Sequence, residues 1–217
     1  NNAFGSETLG SNTTGANNTA FGHASLANNT TASNNTAVGY TSLQFNTTGT
    51  RNVAIGHTSL NNNTTASYNT ALGFRGLFSN TTGASNVGLG YQALDANTSG
   101  SNNVAIGRDA LVLSTTASNN TATGYRAGYS NTTGIENSIF GKDAGYYITT
   151  GSNNTYIGTA SGPNAGASTG SYNTAVGRSA LYNTTTASYN TAVGYQAGYS
   201  NTTGSSNHAF GTSALYT

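Results

Sequence analysis

One glycine recurs every 17 residues along this chain, and four residues before each copy stands an asparagine. The glycines are Gly5, Gly22, Gly39, Gly56, Gly73, Gly90, Gly107, Gly124, Gly141, Gly158, Gly177, Gly194 and Gly211. The asparagines are Asn1, Asn18, Asn35, Asn52, Asn69, Asn86, Asn103, Asn120, Asn137, Asn154, Asn173, Asn190 and Asn207. So short a period held in register specifies a solenoid, in which each repeat buries its surface against its neighbours. Only the interval from Gly158 to Gly177 departs, at 19 residues.

The consensus N-T-A-V-G-Y-x-A-L-x-x-N-T-T-G-S-N assigns one short strand to each coil. Its second position is Thr or Val in most copies and its fourth is apolar in nearly all, as in Thr36 with Val38 and Val53 with Ile55. Period-2 alternation places these two positions on one face, and their apolar character predicts that this face points into the coil. The alanine between them suits close approach to a neighbouring surface. The glycine ends the strand where positive φ or tight backbone contact is required. Leucine follows four residues later, except at Gly128, Gly145, Gly162 and Gly198. A tyrosine comes next in three of those copies (Tyr129, Tyr146 and Tyr199), and is expected to turn inward and restore the packing.

Gly, Asn and Thr are poor helix formers and no 3.6-residue period is present. Disorder does not require thirteen asparagines in register. The expected fold is therefore all-β, a parallel β-solenoid (β-roll) of 17-residue coils, about 13 of them, in one continuous domain over residues 1–217. Coils stacked at a strand spacing of roughly 4.8 Å make a rod roughly 60 Å long. The asparagine column is read as a structural ladder of stacked amides along the axis. Neither end carries an atypical capping repeat, so the chain is expected to be a segment of a longer fibre. The irregular repeat at 159–177, with Pro163, reads as a bulged loop, either drift or an epitope.

Charged residues are 5% of the chain and the net charge is +1, which leaves no basic stripe for a phosphate backbone; no nucleic-acid partner is expected. No apolar run is long enough to span a bilayer. Cysteine is absent, so neither disulfides nor thiolate metal sites are available. His23 and His57 share a column but lie two coils apart, roughly 10 Å, too far for a common metal. Asp109 and Asp143 each adjoin a cation, Arg108 or Lys142, that neutralises them. No triad fits the register, so neither catalysis nor a cofactor is expected.

Asn52-Val53-Ala54-Ile55-Gly56 and Asn103-Val104-Ala105-Ile106-Gly107 resemble the N-(S)-V-A-I-G element of YadA-like head domains in trimeric autotransporter adhesins. The Asn-Thr-Ala-Val-Gly copies at 35–39, 173–177 and 190–194 are close variants, and bacteriophage tail-fibre-like proteins carry similar repeats. The resemblance implies a left-handed parallel β-roll, three chains packed side by side, and adhesion to host surfaces. Two departures weaken the trimer and adhesion implications: the 17-residue period exceeds the family's usual repeat, and these residues contain neither neck nor coiled-coil stalk.

A second asparagine column opens N-x-T/S patterns at Asn12, Asn29, Asn46, Asn63, Asn80, Asn97, Asn131 and Asn201, with Asn183 shifted by one. These are candidate glycosylation sites if the segment lies outside the coil, and a second polar ladder if it does not. Alternation would place the asparagine and second threonine on one face and the first threonine on the other. Flat ranks of threonine also suit ice binding, although that needs T-x-T rather than adjacent threonines. The column after the glycine (Tyr40, His57, Phe74, Tyr91, Arg108, Tyr125, Arg178, Tyr195) could cover the coil corner, pack against another chain or stack on sugars. The expected function is an extracellular structural fibre at a cell surface or on a virion, self-associating as fibre or homotrimer and open to N-glycosylation. The alternatives are an adhesin or phage tail-fibre module binding a host-surface receptor, and an ice-binding protein.

Overall fold

The computed structural model describes residues 1–216 and shows a single parallel sheet running the length of the chain. Thirteen three-residue strands follow in order: β1 (Asn2–Phe4), β2 (Thr19–Phe21), β3 (Thr36–Val38), β4 (Val53–Ile55), β5 (Thr70–Leu72), β6 (Val87–Leu89), β7 (Val104–Ile106), β8 (Thr121–Thr123), β9 (Ser138–Phe140), β10 (Thr155–Ile157), β11 (Thr174–Val176), β12 (Thr191–Val193) and β13 (His208–Phe210). Each pairs only with its sequence neighbours, and Cα partners are 17 residues apart, as in Ala37↔Ala54. The β10–β11 pairing alone uses 19, with Thr155 opposite Thr174. The protein is a parallel β-solenoid. No described helix is long and apolar enough to cross a membrane.

The inward face of the strand is the reverse of the expected one. The middle residue points inside: Ala37, Ala54, Ala71, Ala105 and Ala122 are completely buried. The flanking apolar residues point out, with Phe21 53% and Leu72 48% exposed. The reason is the width of the coil. Leu26, Leu43, Leu60, Leu77, Leu94 and Leu111, all fully buried, enter from the opposite wall and fill the space between. Only a small side chain fits across from them, so alanine takes the interior and the larger residues go outside.

Those leucines lie in the left-handed region, for example Leu43 at φ 52° and Leu60 at φ 47°. Such a conformation costs about 1–2 kcal/mol for a residue with a Cβ, which explains why glycine is the replacement at this position. Gly128, Gly145, Gly162 and Gly198 have φ of 61°, 57°, 76° and 61°. Where leucine is lost, the strand opposite enlarges. Ile139 replaces alanine in β9 and Tyr156 in β10, both completely buried. A Cβ on Gly128 would lie 3.0 Å from Ile139 Cδ1, and one on Gly162 would lie 2.6 Å from Tyr156 Cγ. Tyr129, Tyr146 and Tyr199 do not turn inward. They stay half-buried in outer stacks, Tyr129 on Tyr146 at 4.8 Å and Tyr182 on Tyr199 at 5.1 Å. A Cβ on Gly198 would lie 3.6 Å from Ala192 Cβ across the coil and 2.9 Å from Leu181 Cδ2 of the preceding coil.

The long repeat keeps its register by extruding its extra residues. Tyr147 N donates to Pro163 O at 3.0 Å, and Thr149 N to Ser168 O at 2.8 Å. Between those anchors Ala165 and Ala167 are exposed, and Ile148 and Ser168 form an isolated parallel bridge. The bulge lies outside a coil whose interior continues unbroken.

Candidate functional site

The first asparagine column is buried from Asn18 to Asn190, with only the end members Asn1 and Asn207 more open. Each amide works as a clamp on the next coil. Asn35 Oδ1 accepts from Asn52 N at 2.9 Å, and Asn35 Nδ2 donates to Gly49 O at 2.9 Å. The expected amide-to-amide contacts appear only from Asn103 onward, where Asn103 Nδ2 donates to Asn86 Oδ1 at 3.1 Å and Asn137 Nδ2 to Asn120 Oδ1 at 3.1 Å. Asparagine suits the position because it offers a donor and an acceptor on a short, uncharged side chain. The glycine column next to it has φ near 130°, and a Cβ on Gly39 would stand 2.5 Å from Gly56 O. Both requirements read from the sequence, positive φ and close contact, hold together.

The second asparagine column is an interior ladder, and this overturns the glycan expectation for most of it. Asn29, Asn46, Asn63, Asn80, Asn97 and Asn131 are completely buried. Asn46 Nδ2 donates to Asn29 Oδ1 at 3.1 Å, Asn63 to Asn46 at 2.8 Å, Asn80 to Asn63 at 2.9 Å and Asn97 to Asn80 at 2.8 Å. The same amides close their own loop, as Asn63 does on Ala66 O at 2.9 Å. A nitrogen sealed in the coil with its protons engaged leaves no room for a sugar. Asn12 and Asn201, in the end coils, are half-buried and bond Gly15 O and Gly204 O. Asn183 lies outside the column, donating to Tyr199 O at 3.0 Å, while Thr184 takes the buried position.

The ladder breaks at Ser114, whose short side chain cannot span the gap. Asn97 Oδ1 and Ser114 Oγ are buried without partners, as is Asn131 Oδ1 below Ile148. Amide-to-amide bonding in the first column starts beside this break.

The paired threonines bend rather than run as an extended strand, so they do not alternate faces as expected. The first lies along the wall with its hydroxyl donating to the next coil: Thr47 Oγ1 to Thr64 O at 3.0 Å, Thr81 Oγ1 to Thr98 O at 3.0 Å. The second points to solvent in every coil: Thr14, Thr31, Thr48, Thr65, Thr82, Ser99, Thr116, Thr133, Thr150, Thr169, Thr186 and Thr203 are all exposed. Only one rank of free hydroxyls results, not the two-dimensional array an ice face needs.

After the glycine, His23, Tyr40, His57, Phe74 and Tyr91 stack in succession with centroids 5.1–5.4 Å apart. Arg108 continues the pile over Tyr91 at 5.4 Å. The ring faces are taken up by coil-to-coil stacking, so edges face solvent and the face-on contact that a sugar needs is blocked. Tyr40 stands between His23 and His57, which share no ligand position. Asp109 and Asp143 lie 3.2 Å and 3.9 Å from Arg108 and Lys142, as expected, and Arg75 grips Asp95 at 3.0 Å. Burial pushes the Tyr156 phenol well above its ordinary range.

Beside the stack, the outward strand residues Ile55, Leu72, Ile106, Phe140 and Ile157 form an exposed apolar ridge. The sequence reading missed this surface because it placed these residues inside; the signal was the alanine or glycine that stands in the middle of every strand except β9 and β10. The fold and its columns define an asparagine-clamped parallel β-solenoid. Comparison with protein-family models, curated proteins and solved structures finds no match to this chain.

Proposed function

We propose that this protein is a structural fibre element outside the cell or on a virion, a stiff rod whose copies associate side by side. The observation that carries this reading is the apolar ridge on the outward strand face, which follows the axis from Phe21 to Phe210, interrupted only by Thr123 and with no charged residue in its column. Apolar surface of that extent is the usual mark of a partner-covered face. A second copy has the same axial repeat, so it meets the ridge coil for coil. Fibre bundle and homotrimer both satisfy it. Inward asparagines remove the glycan from the proposal at the buried positions, and what remains is a hydrogen-bonded shaft.

The test is mass in solution combined with electron microscopy of the purified rod. Multimers with aligned axes are expected, and Ile55→Lys with Leu72→Lys and Ile106→Lys should release monomers that keep the β spectrum. Monomers at all concentrations for the unaltered protein would refute lateral association. The adhesin or phage tail-fibre reading rests on the Asn-Val-Ala-Ile-Gly repeats and on the exposed bulge at residues 164–167. Binding of the rod to host cells that is lost on deleting Ala165 and Gly166 would favour it over a purely structural role.

A further inference from the structure

The exposed columns of this rod differ in how freely they vary. The position before the first asparagine column carries Asn34, Arg51, Tyr68, Ser85, Asn102, Asn119 and Glu136 in successive coils, a mixture of amide, cation, phenol, hydroxyl and carboxylate on a backbone held at positive φ. The position before the second column is equally mixed, with Asn28, Phe45, Asn62 and Ala96. The second threonine of the pair is different. Eleven of its twelve copies are threonine and the other is Ser99, so every copy keeps a hydroxyl.

Packing does not require that hydroxyl. Thr31, Thr48, Thr65 and Thr82 are exposed, and among the described residues their Oγ1 atoms make no hydrogen bond within the chain. Their neighbours Thr30, Thr47, Thr64 and Thr81 do, each donating to the next coil. The residue that follows is small and buried, Ala32, Gly49, Ala66 and Gly83, so the backbone there is held rigidly while the threonine projects. A free, nucleophilic oxygen is thus presented once per coil on a fixed bend, at a spacing of roughly 4.8 Å.

From this we propose that the second-threonine rank is the acceptor array for O-linked sugars. The co-reactant is a nucleotide-activated sugar on a partner glycosyltransferase. The threonine Oγ1 attacks the anomeric carbon, and the bond from that carbon to the diphosphate breaks with its electron pair leaving on the phosphate oxygen. The hydroxyl proton passes to a base of the transferase. Adjacent acceptors one coil apart crowd a sugar ring, so occupancy falls below one per coil. The array deepens the fibre proposal by giving the rod a hydrated edge away from its apolar ridge.

Peptide mass spectrometry of the protein from its native source, before and after alkaline β-elimination, tests the assignment. Hexose-type increments are expected on Thr31, Thr48 and Thr65, lost on β-elimination to leave dehydrated threonine, with Asn29, Asn46 and Asn63 bare. Thr48→Val, which keeps the branched shape, should remove the increment at that position alone and leave the rod intact. Unmodified threonines in the native protein would overturn the assignment. So would sugar carried on Thr47 or on the asparagines. A bare rank leaves the rod reading untouched, because that reading is decided by mass and microscopy.

Discussion

Replacing Asn63 by alanine separates the interior ladder from an exposed acceptor more sharply than any other single change. Asn63 is completely buried and makes three hydrogen bonds: to Asn46 Oδ1 at 2.8 Å, to Ala66 O at 2.9 Å, and from Asn80 Nδ2 at 2.9 Å. Asn80 Nδ2 retains its bond to Gly83 O, but Asn46 Oδ1 loses its donor and Ala66 O keeps only the bond from Asn52 Nδ2. Each lost bond costs about 1 kcal/mol net, and a polar group left buried without a partner costs about 1–3 kcal/mol more. Three lost bonds and one orphaned acceptor together should destabilise the coil of Asn63→Ala by about 4–6 kcal/mol. Asn63→Asp should cost more, since a carboxylate cannot donate to either oxygen and would bury a charge. A solenoid need not unfold in one step, so the assay is native-state amide hydrogen exchange read coil by coil. Faster exchange centred on Leu60 to Leu77, with distant coils unchanged, is the expected result. A loss under about 1 kcal/mol for both variants would refute the reasoning, because that is the range of an exposed polar substitution.

Other outcomes follow from the same geometry. Ser114→Asn restores a donor to the orphaned Asn97 Oδ1 and should raise local stability by about 1–2 kcal/mol, read by exchange in the coils holding Leu94 and Leu111. Gly73→Ala sets a Cβ 2.6 Å from Gly90 O at a φ of 125°, and should cost on the order of 3–5 kcal/mol, seen as lost protection in β5 and β6. Tyr156→Phe removes a buried hydroxyl without a partner and should be neutral or stabilising, whereas Tyr156→Ala should cost about 3–5 kcal/mol in thermal unfolding. The raised Tyr156 pKa contributes stability that is complete below the ordinary value of 10.0 and is lost as pH climbs above it toward the folded value. Denaturation measured from pH 9 to 11 should show that decline in the native chain and a smaller one in Tyr156→Phe.

Much of this was legible from residues alone. The 17-residue register located every strand, from Asn2–Phe4 to His208–Phe210, and the glycine column announced a backbone contact that no Cβ tolerates. The interval between Gly158 and Gly177 announced an extruded loop. These depend on local chemistry repeated at one spacing, which a sequence displays directly. What lies inside the coil depends on its width, and sequence alternation distinguishes two faces without saying which is enclosed. Phe21, Ile55 and Leu72 looked like core by size, yet the leucines crossing from the far wall leave room only for Ala20, Ala54 and Ala71. The same closure drew Asn29, Asn46 and Asn63 inside, where their amides join coil to coil, and left the second threonines in water. The repeat determined that a rod forms; the space left between its walls decided which residues became its core and which its surface.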